Sequence, residues 1–222
     1  MPLFADRADA GRQLADALAE YRDDPNVVVL ALPRGGVPVG YEVARALHAP
    51  LDVYLVRKLG VPGHEELAMG ALASDGTCVV DEGLIQMLGV DEATLESVVQ
   101  REIGELRRRE LAYRPARPEL DIRGKTAIVV DDGLATGATM RAAATALRAQ
   151  DPAAIVTAAP VAARRTCVSL AHVVDRVVCA QTPEPFHAVG LYYQNFDQTS
   201  DDEVRRLLAR AEADRTGRGT DV

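Results

Sequence analysis

Ala127-Ile128-Val129-Val130-Asp131-Asp132-Gly133-Leu134-Ala135-Thr136-Gly137-Ala138-Thr139 runs from four apolar residues through two acids into small and hydroxylated residues. The apolar run is short and partly β-branched, which reads as a buried strand. Gly137 to Gln150 then reads as a helix. A nearly continuous apolar strand followed at once by a helix is the repeating unit of a parallel α/β sheet with both faces covered.

The same alternation extends in both directions. Val27 to Leu32, bounded by Asp24-Pro25-Asn26 and Pro33, is a second such strand, and Val37 to Leu47 reads as its helix. Leu51 to Val56, Ala68 to Ala73, Thr77 to Val80, Ile155 to Ala159 and Val173 to Cys179 supply further strands. Asp91 is placed to cap a long polar helix reaching about Ala112, with Leu95, Val98, Val99 and Leu106 on one side. Leu14, Leu18 and Tyr21 recur at helical spacing near the N-terminus, and the polar tail over 213–222 reads as loose. The expectation is one domain over 1–222: a mostly parallel sheet flanked by helices.

A chain of 222 residues fits one sizeable domain. Its net charge of -8 argues against a non-specific nucleic-acid binder, which would be basic. No apolar stretch approaches the roughly 20 residues needed to span a bilayer. Asp6, Arg7, Asp9 and Arg12 precede any run that could form a signal peptide, so the cytoplasm is the expected compartment. Cys78, Cys167 and Cys179 lack CxxC spacing, which argues against a zinc site or disulfide framework. Arg107-Arg108-Arg109 reads as a solvated helix face.

In an open parallel sheet, ligands sit beyond the carboxyl ends of the strands, where Asp131 and Asp132 fall. Just downstream, N–H groups at a helix start and the hydroxyls of Thr136 and Thr139 form a nest for a phosphate. Gly133 and Gly137 let the backbone come close. The carboxylates would repel that phosphate, so they need another occupant: a sugar diol, whose hydroxyls donate to them, or a magnesium ion. A phosphate cradle beside an acid pair describes a ribose 5-phosphate. Neither GxxxxGK[ST] nor GxGxxG is present, which separates the stretch from Walker and dinucleotide-binding loops. An Asp-Asp-Gly turn alone would carry no such meaning.

Val129 through Thr139 resembles the signature of type I phosphoribosyltransferases, which bind phosphoribosyl pyrophosphate with Mg2+. The resemblance implies that Asp131 and Asp132 hold the ribose hydroxyls and, through the substrate, the magnesium. It implies equally that Ala135, Thr136, Gly137, Ala138 and Thr139 hold the 5-phosphate.

Two more stretches extend the likeness. In Leu32-Pro33-Arg34-Gly35-Gly36-Val37, Arg34 offers a fork of donors and Gly35-Gly36 exposes amides to an anion. A tight turn with a surface arginine would look the same alone. Beside the acid pair it resembles the family's pyrophosphate loop, which implies a cis peptide at Pro33–Arg34. Arg57-Lys58, ahead of Leu59-Gly60-Val61-Pro62-Gly63-His64-Glu65-Glu66, resembles the basic residues before the family's mobile catalytic loop. That implies a lid over 57–67, whose closure would bring in Glu66, or its neighbours His64 and Glu65. Loop-tip charges are otherwise ordinarily solvated.

Residues 181–197 gather Phe186, Tyr192, Tyr193 and Phe196 in a chain with only 4% aromatic residues. A satellite core accounts for Tyr192 and Phe196. Phe186 before Val189-Gly190 resembles the hood of purine-type members and becomes the candidate for stacking on an acceptor base, a contact of about 1–3 kcal/mol. Hypoxanthine/guanine-type members carry an aspartate at the position of Ala135, so this chain lacks their general base. The full pattern predicts transfer of a phosphoribosyl group to a nitrogenous, purine-like base with pyrophosphate release. The resemblance makes a homodimer the expected assembly. Rival readings are a non-catalytic regulator that binds phosphoribosyl pyrophosphate, and a hydrolase of a phosphoribosyl compound.

Overall fold

A computed structural model describes residues 2–113 and 120–218, with the backbone alone at Glu65, Glu66, Gly217 and Arg218. Strand β1 (Val27–Ala31) shows why its sequence is apolar throughout. Val27, Val29 and Ala31 enter one hydrophobic core, while Val28 and Leu30 enter another on the opposite face. Strand β6 (Thr126–Val130) divides its residues the same way, Ile128 and Val130 against Ala127 and Val129. A strand sandwiched between two cores has no polar face to show.

With β2 (Leu51–Val53), β7 (Ala154–Val161) and β8 (Arg176–Gln181), these strands form a five-stranded sheet ordered β2-β1-β6-β7-β8, parallel throughout. One face is covered by α1 (Arg7–Ala17), α2 (Gly36–Leu47) and α7 (Asp201–Arg218), with α4 (Glu92–Tyr113) packed beside α7. The other is covered by α5 (Ala138–Arg148) and α6 (Arg164–Leu170). Asp6 caps α1 by accepting from the Asp9 amide, and Leu14 is wholly buried beneath the helix. Burial of one such side chain stabilises by about 1.5–3 kcal/mol. Among the described residues, no helix is long and apolar enough to cross a membrane.

The run Leu51–Val56, read as one strand, is split. Leu51–Val53 stays at the edge of the parallel sheet, and the chain then leaves it. Strand β3 (Val56–Val61) pairs antiparallel with β4 (His64–Ala73), and β5 (Cys78–Val80) adds a third strand. No Gly or Pro separates the two halves, and an apolar run does not say which sheet it joins. The stretch 57–67 expected as a lid therefore forms most of β3, the Pro62-Gly63 turn and the start of β4, with register shifts around Gly60. Helix α3 (Glu82–Leu88) follows β5. Helix α7 corrects the reading of a loose tail as far as Arg218; residues 219–222 lie outside the described residues. Among its described residues Val204 and Leu208 are buried and Leu207 and Ala211 pack against the same core, a helical stripe that ends ahead of the polar stretch beginning at residue 213.

After β8, residues 181–197 fold over the sheet end. Tyr192 O accepts from the amides of Leu3 and Phe4, and the amides of Gln194 and Asn195 donate to Phe4 O and Ala5 O. Phe4, Ala10, Val161 and Tyr193 make a third, small core under this segment.

Candidate functional site

The sheet order places β1 and β6 side by side, yet their following helices lead in opposite directions, to β2 and to β7. That is the switch point at which a crevice opens beyond the strand ends. Both sequence motifs sit there: Leu32 to Gly36 after β1, Asp131 to Thr139 after β6. They are stitched together where Leu32 N donates to Val130 O at 2.9 Å. The Pro33–Arg34 peptide is cis. Gly35 is packed so tightly that a methyl group there would overlap the Asp132 carboxylate, and one on Gly36 would lie 2.6 Å from Val130 O.

Asp131 Oδ1 accepts from the Asp132 amide at 2.9 Å. Asp132 Oδ2 accepts from Arg7 Nε at 2.9 Å, and its backbone carbonyl accepts from the Tyr193 hydroxyl at 2.6 Å. Arg7 in turn donates to Asp197 O at 2.6 Å and lies 4.0 Å over the Phe196 ring. Burial pushes both carboxyls upward. Asp131 is raised further by the charge of Asp132, whereas Arg7 pulls Asp132 back down. An acid pair in this state favours any occupant that brings donors or positive charge.

Downstream, Leu134 pins the loop to the end of β7: its amide donates to Val161 O, and its carbonyl accepts from the Ala163 amide, both at 2.9 Å. Val189 packs over Gly133. Ala135, Thr136 and Thr139 are exposed, and Ala138 N donates to Thr136 Oγ1 at 3.4 Å. Gly137 has φ +72° at the start of α5, and a Cβ there would lie 2.6 Å from Thr166 Cγ2. Thr166 Oγ1 also donates to Ala135 O at 2.5 Å, so this buried threonine braces the loop from beneath. The outcome is an exposed turn of amides and hydroxyls on a fixed base, facing solvent at a helix N-terminus.

On the far side of the crevice, Arg57 and Lys58 line a cavity of about 280 Å3 with Pro33 and Thr139. Arg57 Nε donates to the buried Glu102 carboxylate at 2.6 Å. Arg34 Nη1 lies 3.6 Å from Asp201 Oδ1. Lys58 also borders a larger cavity of about 920 Å3, between α5 and β4, with Thr136, Ala138 and Arg141. The side chain of Glu66 lies outside the described residues. Phe186 packs against Tyr192, ring centroids 5.3 Å apart, and lines a separate cavity of about 190 Å3 with Arg164, Arg165 and Glu184.

Adjacent carboxylates are hard oxygen donors of the kind Mg2+ takes in ones and twos, the rest of its shell coming from water and phosphate oxygens. Asp131 and Asp132 fit that donor set. Among the described residues, no group of three His, Cys, Asp or Glu is placed to hold a metal by itself. Sequence reasoning missed Arg7, Tyr193, Glu102 and Asp201, which reach the crevice from distant elements and carry no motif.

Residues 6–194 match the family model described as "Phosphoribosyl transferase domain". "Putative phosphoribosyl transferase MT0597" and "Putative phosphoribosyl transferase Rv0571c", from Mycobacterium tuberculosis strains CDC 1551 / Oshkosh and ATCC 25618 / H37Rv, are each 48% identical over 214 residues. Those matches cover 96% of this chain and 48% of each relative, so the chain spans about half the length of the curated relatives it matches. The crystal structure of TT1426 from Thermus thermophilus is similar with a TM-score of 0.87 and 40% identity, covering 95% of this chain and 99% of that one.

Proposed function

Because the chain belongs to the phosphoribosyl transferase domain family, we propose that its crevice binds phosphoribosyl pyrophosphate with Mg2+ and transfers the phosphoribosyl group to a nitrogenous base, purine-like, with release of pyrophosphate. The observation that carries this reading is the meeting of two loops at one switch point. The half-buried acid pair after β6 adjoins both the loop 135–139, with its exposed Thr136 and Thr139, and the Pro33–Arg34 loop after β1.

Asp131 and Asp132 accept from the ribose hydroxyls. The amides and hydroxyls of Ala135, Thr136, Gly137, Ala138 and Thr139 enclose the 5-phosphate. Arg34, the Gly35-Gly36 amides, Arg57 and Lys58 hold the pyrophosphate, where negative charge grows as the C1–oxygen bond breaks. Asp131 and Asp132 would hold Mg2+ through the substrate, and the ion would supply further neutralisation of the charge that grows on the pyrophosphate. The β3–β4 hairpin, which begins at Arg57, is the lid that excludes water, with Glu66 as its contribution to the closed site. Phe186 stacks on the acceptor. The homodimer implied by the resemblance belongs to the same proposal, and so does a cytoplasmic setting.

The test is a screen of nitrogenous bases with phosphoribosyl pyrophosphate and Mg2+, following pyrophosphate release and nucleotide formation. A base-dependent nucleotide is the expected product. Ribose phosphate plus pyrophosphate without nucleotide would mark a hydrolase, and binding without turnover would mark a regulator.

A further inference from the structure

By sequence alone Arg107-Arg108-Arg109 is one solvated face of α4, but the structure separates the three. Arg107 and Arg108 are exposed, whereas Arg109 is half-buried. Leu106 and Arg109, three residues apart and so on one side of the helix, complete the lining of the 280 Å3 cavity that holds Pro33, Arg57, Lys58 and Thr139.

The preceding turn of the same helix supplies the counter-charges. Glu102 accepts from Arg57 Nε at 2.6 Å, and Glu105 accepts from Arg109 Nε at 2.8 Å. Each glutamate engages the inner nitrogen of its arginine, which leaves the two terminal amino groups of the fork for an anion. Arg108 and Arg109 together hold the Glu105 carboxyl down to about 2. Arg34 lies 3.6 Å from Asp201 Oδ1, which also accepts from the Tyr113 hydroxyl at 2.8 Å, so Arg34 sits toward the C-terminal end of α4, the end that carries Arg109.

We propose that Arg109 is a further pyrophosphate-binding residue, forming with Arg57 and Lys58 a cationic wall opposite the Pro33–Arg34 turn. This rests on the phosphoribosyl pyrophosphate reading of the crevice and adds to it an element, α4, that none of the sequence motifs includes. The same helix presents Glu102 and Glu105 to balance the wall while no polyphosphate is bound. An acidic chain thereby keeps a locally basic pocket.

The experiment measures Mg2+-dependent binding of inorganic pyrophosphate, phosphoribosyl pyrophosphate and ribose 5-phosphate to wild type, Arg109→Ala, Arg109→Lys and Arg108→Ala. Loss of the Arg109–Glu105 pair on a helix surface perturbs stability little, so the variants are expected to fold. Arg109→Ala is expected to weaken both pyrophosphate-bearing ligands by about 10- to 100-fold, the range of a hydrogen bond to a charged group. Ribose 5-phosphate, which carries no pyrophosphate, should be affected far less. Arg109→Lys should fall between, since it keeps charge but not the fork, and Arg108→Ala should match wild type. Unchanged pyrophosphate affinity in Arg109→Ala, or a parallel loss of ribose 5-phosphate, would overturn the proposal while leaving the broader reading in place. Arg109-dependent pyrophosphate binding without phosphoribosyl pyrophosphate binding would keep the wall and remove that reading. Wild type that binds neither would remove both.

Discussion

Arg7 and Asp132, 125 residues apart in sequence, are joined by a hydrogen-bonded ion pair at 2.9 Å, with side chains 12% and 16% exposed. The first helix thus delivers a cation to the acid pair. The same guanidinium is fixed by the Asp197 carbonyl and the Phe196 ring. It therefore acts on the charge of Asp132 and also ties α1 to the hood.

Replacing Arg7 by Ala removes a cation that pulls the Asp132 carboxyl downward against burial. Asp132 then ionises only at higher pH, and the acid limb of phosphoribosyl pyrophosphate binding moves to higher pH with it. The buried partner left behind costs about 1–3 kcal/mol of stability. Calorimetric affinity against pH checks the shift, with Arg7→Lys retaining most of the wild-type profile. Superimposable profiles for Arg7→Ala and wild type would count against this role.

Asp131 is shifted in the same direction as Asp132, and further. Burial and the neighbouring Asp132 charge raise it well above 3.8. A group raised on folding contributes stability that is fully present below its unfolded value and is lost as pH climbs through the folded value. The unliganded wild type should therefore lose melting temperature relative to Asp131→Asn as pH rises above 3.8, since the amide has no charge to bury. Parallel melting curves across that window would exclude the effect.

Gly137→Ala places a side chain at φ +72° and 2.6 Å from Thr166 Cγ2. The left-handed conformation alone costs a non-glycine residue about 1–2 kcal/mol, or a melting shift of about 2–8 °C in a chain of this size. Displacing Thr166 also frees the Ala135 carbonyl, so affinity for ribose 5-phosphate should fall more steeply than stability does. Thermal melting and calorimetry on the same variant separate the two effects.

Tyr193→Phe removes the hydroxyl that donates to Asp132 O at 2.6 Å inside the small hood core. The expected cost is about 1 kcal/mol, the net worth of an ordinary hydrogen bond. Denaturant unfolding should show a lower midpoint at unchanged slope.

The parts of the fold legible in sequence were those with a local signal. Val27–Ala31 and Thr126–Val130 are apolar because both faces are buried, and the helix after Gly137 follows from the turn that precedes it. The acid pair and the two glycine-bearing loops were legible for the same reason, since their chemistry lies in consecutive residues. Long-range partners were not. Nothing near Arg7 indicates that α1 will pass the end of β6, and Arg109 differs from Arg108 only in which face of α4 it occupies. The split after Val53 was hidden because an apolar run suits either sheet. Helix α7 did leave a trace: Ser200 and Glu203 have capping-box spacing, and the Glu203 amide donates to Ser200 Oγ at 3.1 Å.

The central claim is that Asp131 and Asp132 grip the sugar of a magnesium-bound phosphoribosyl pyrophosphate. Calorimetry of that ligand with and without Mg2+, on wild type and on Asp131→Asn/Asp132→Asn, tests it most directly. The account predicts magnesium-dependent binding by wild type and none by the doubly substituted chain. Equal affinity in both proteins would contradict it.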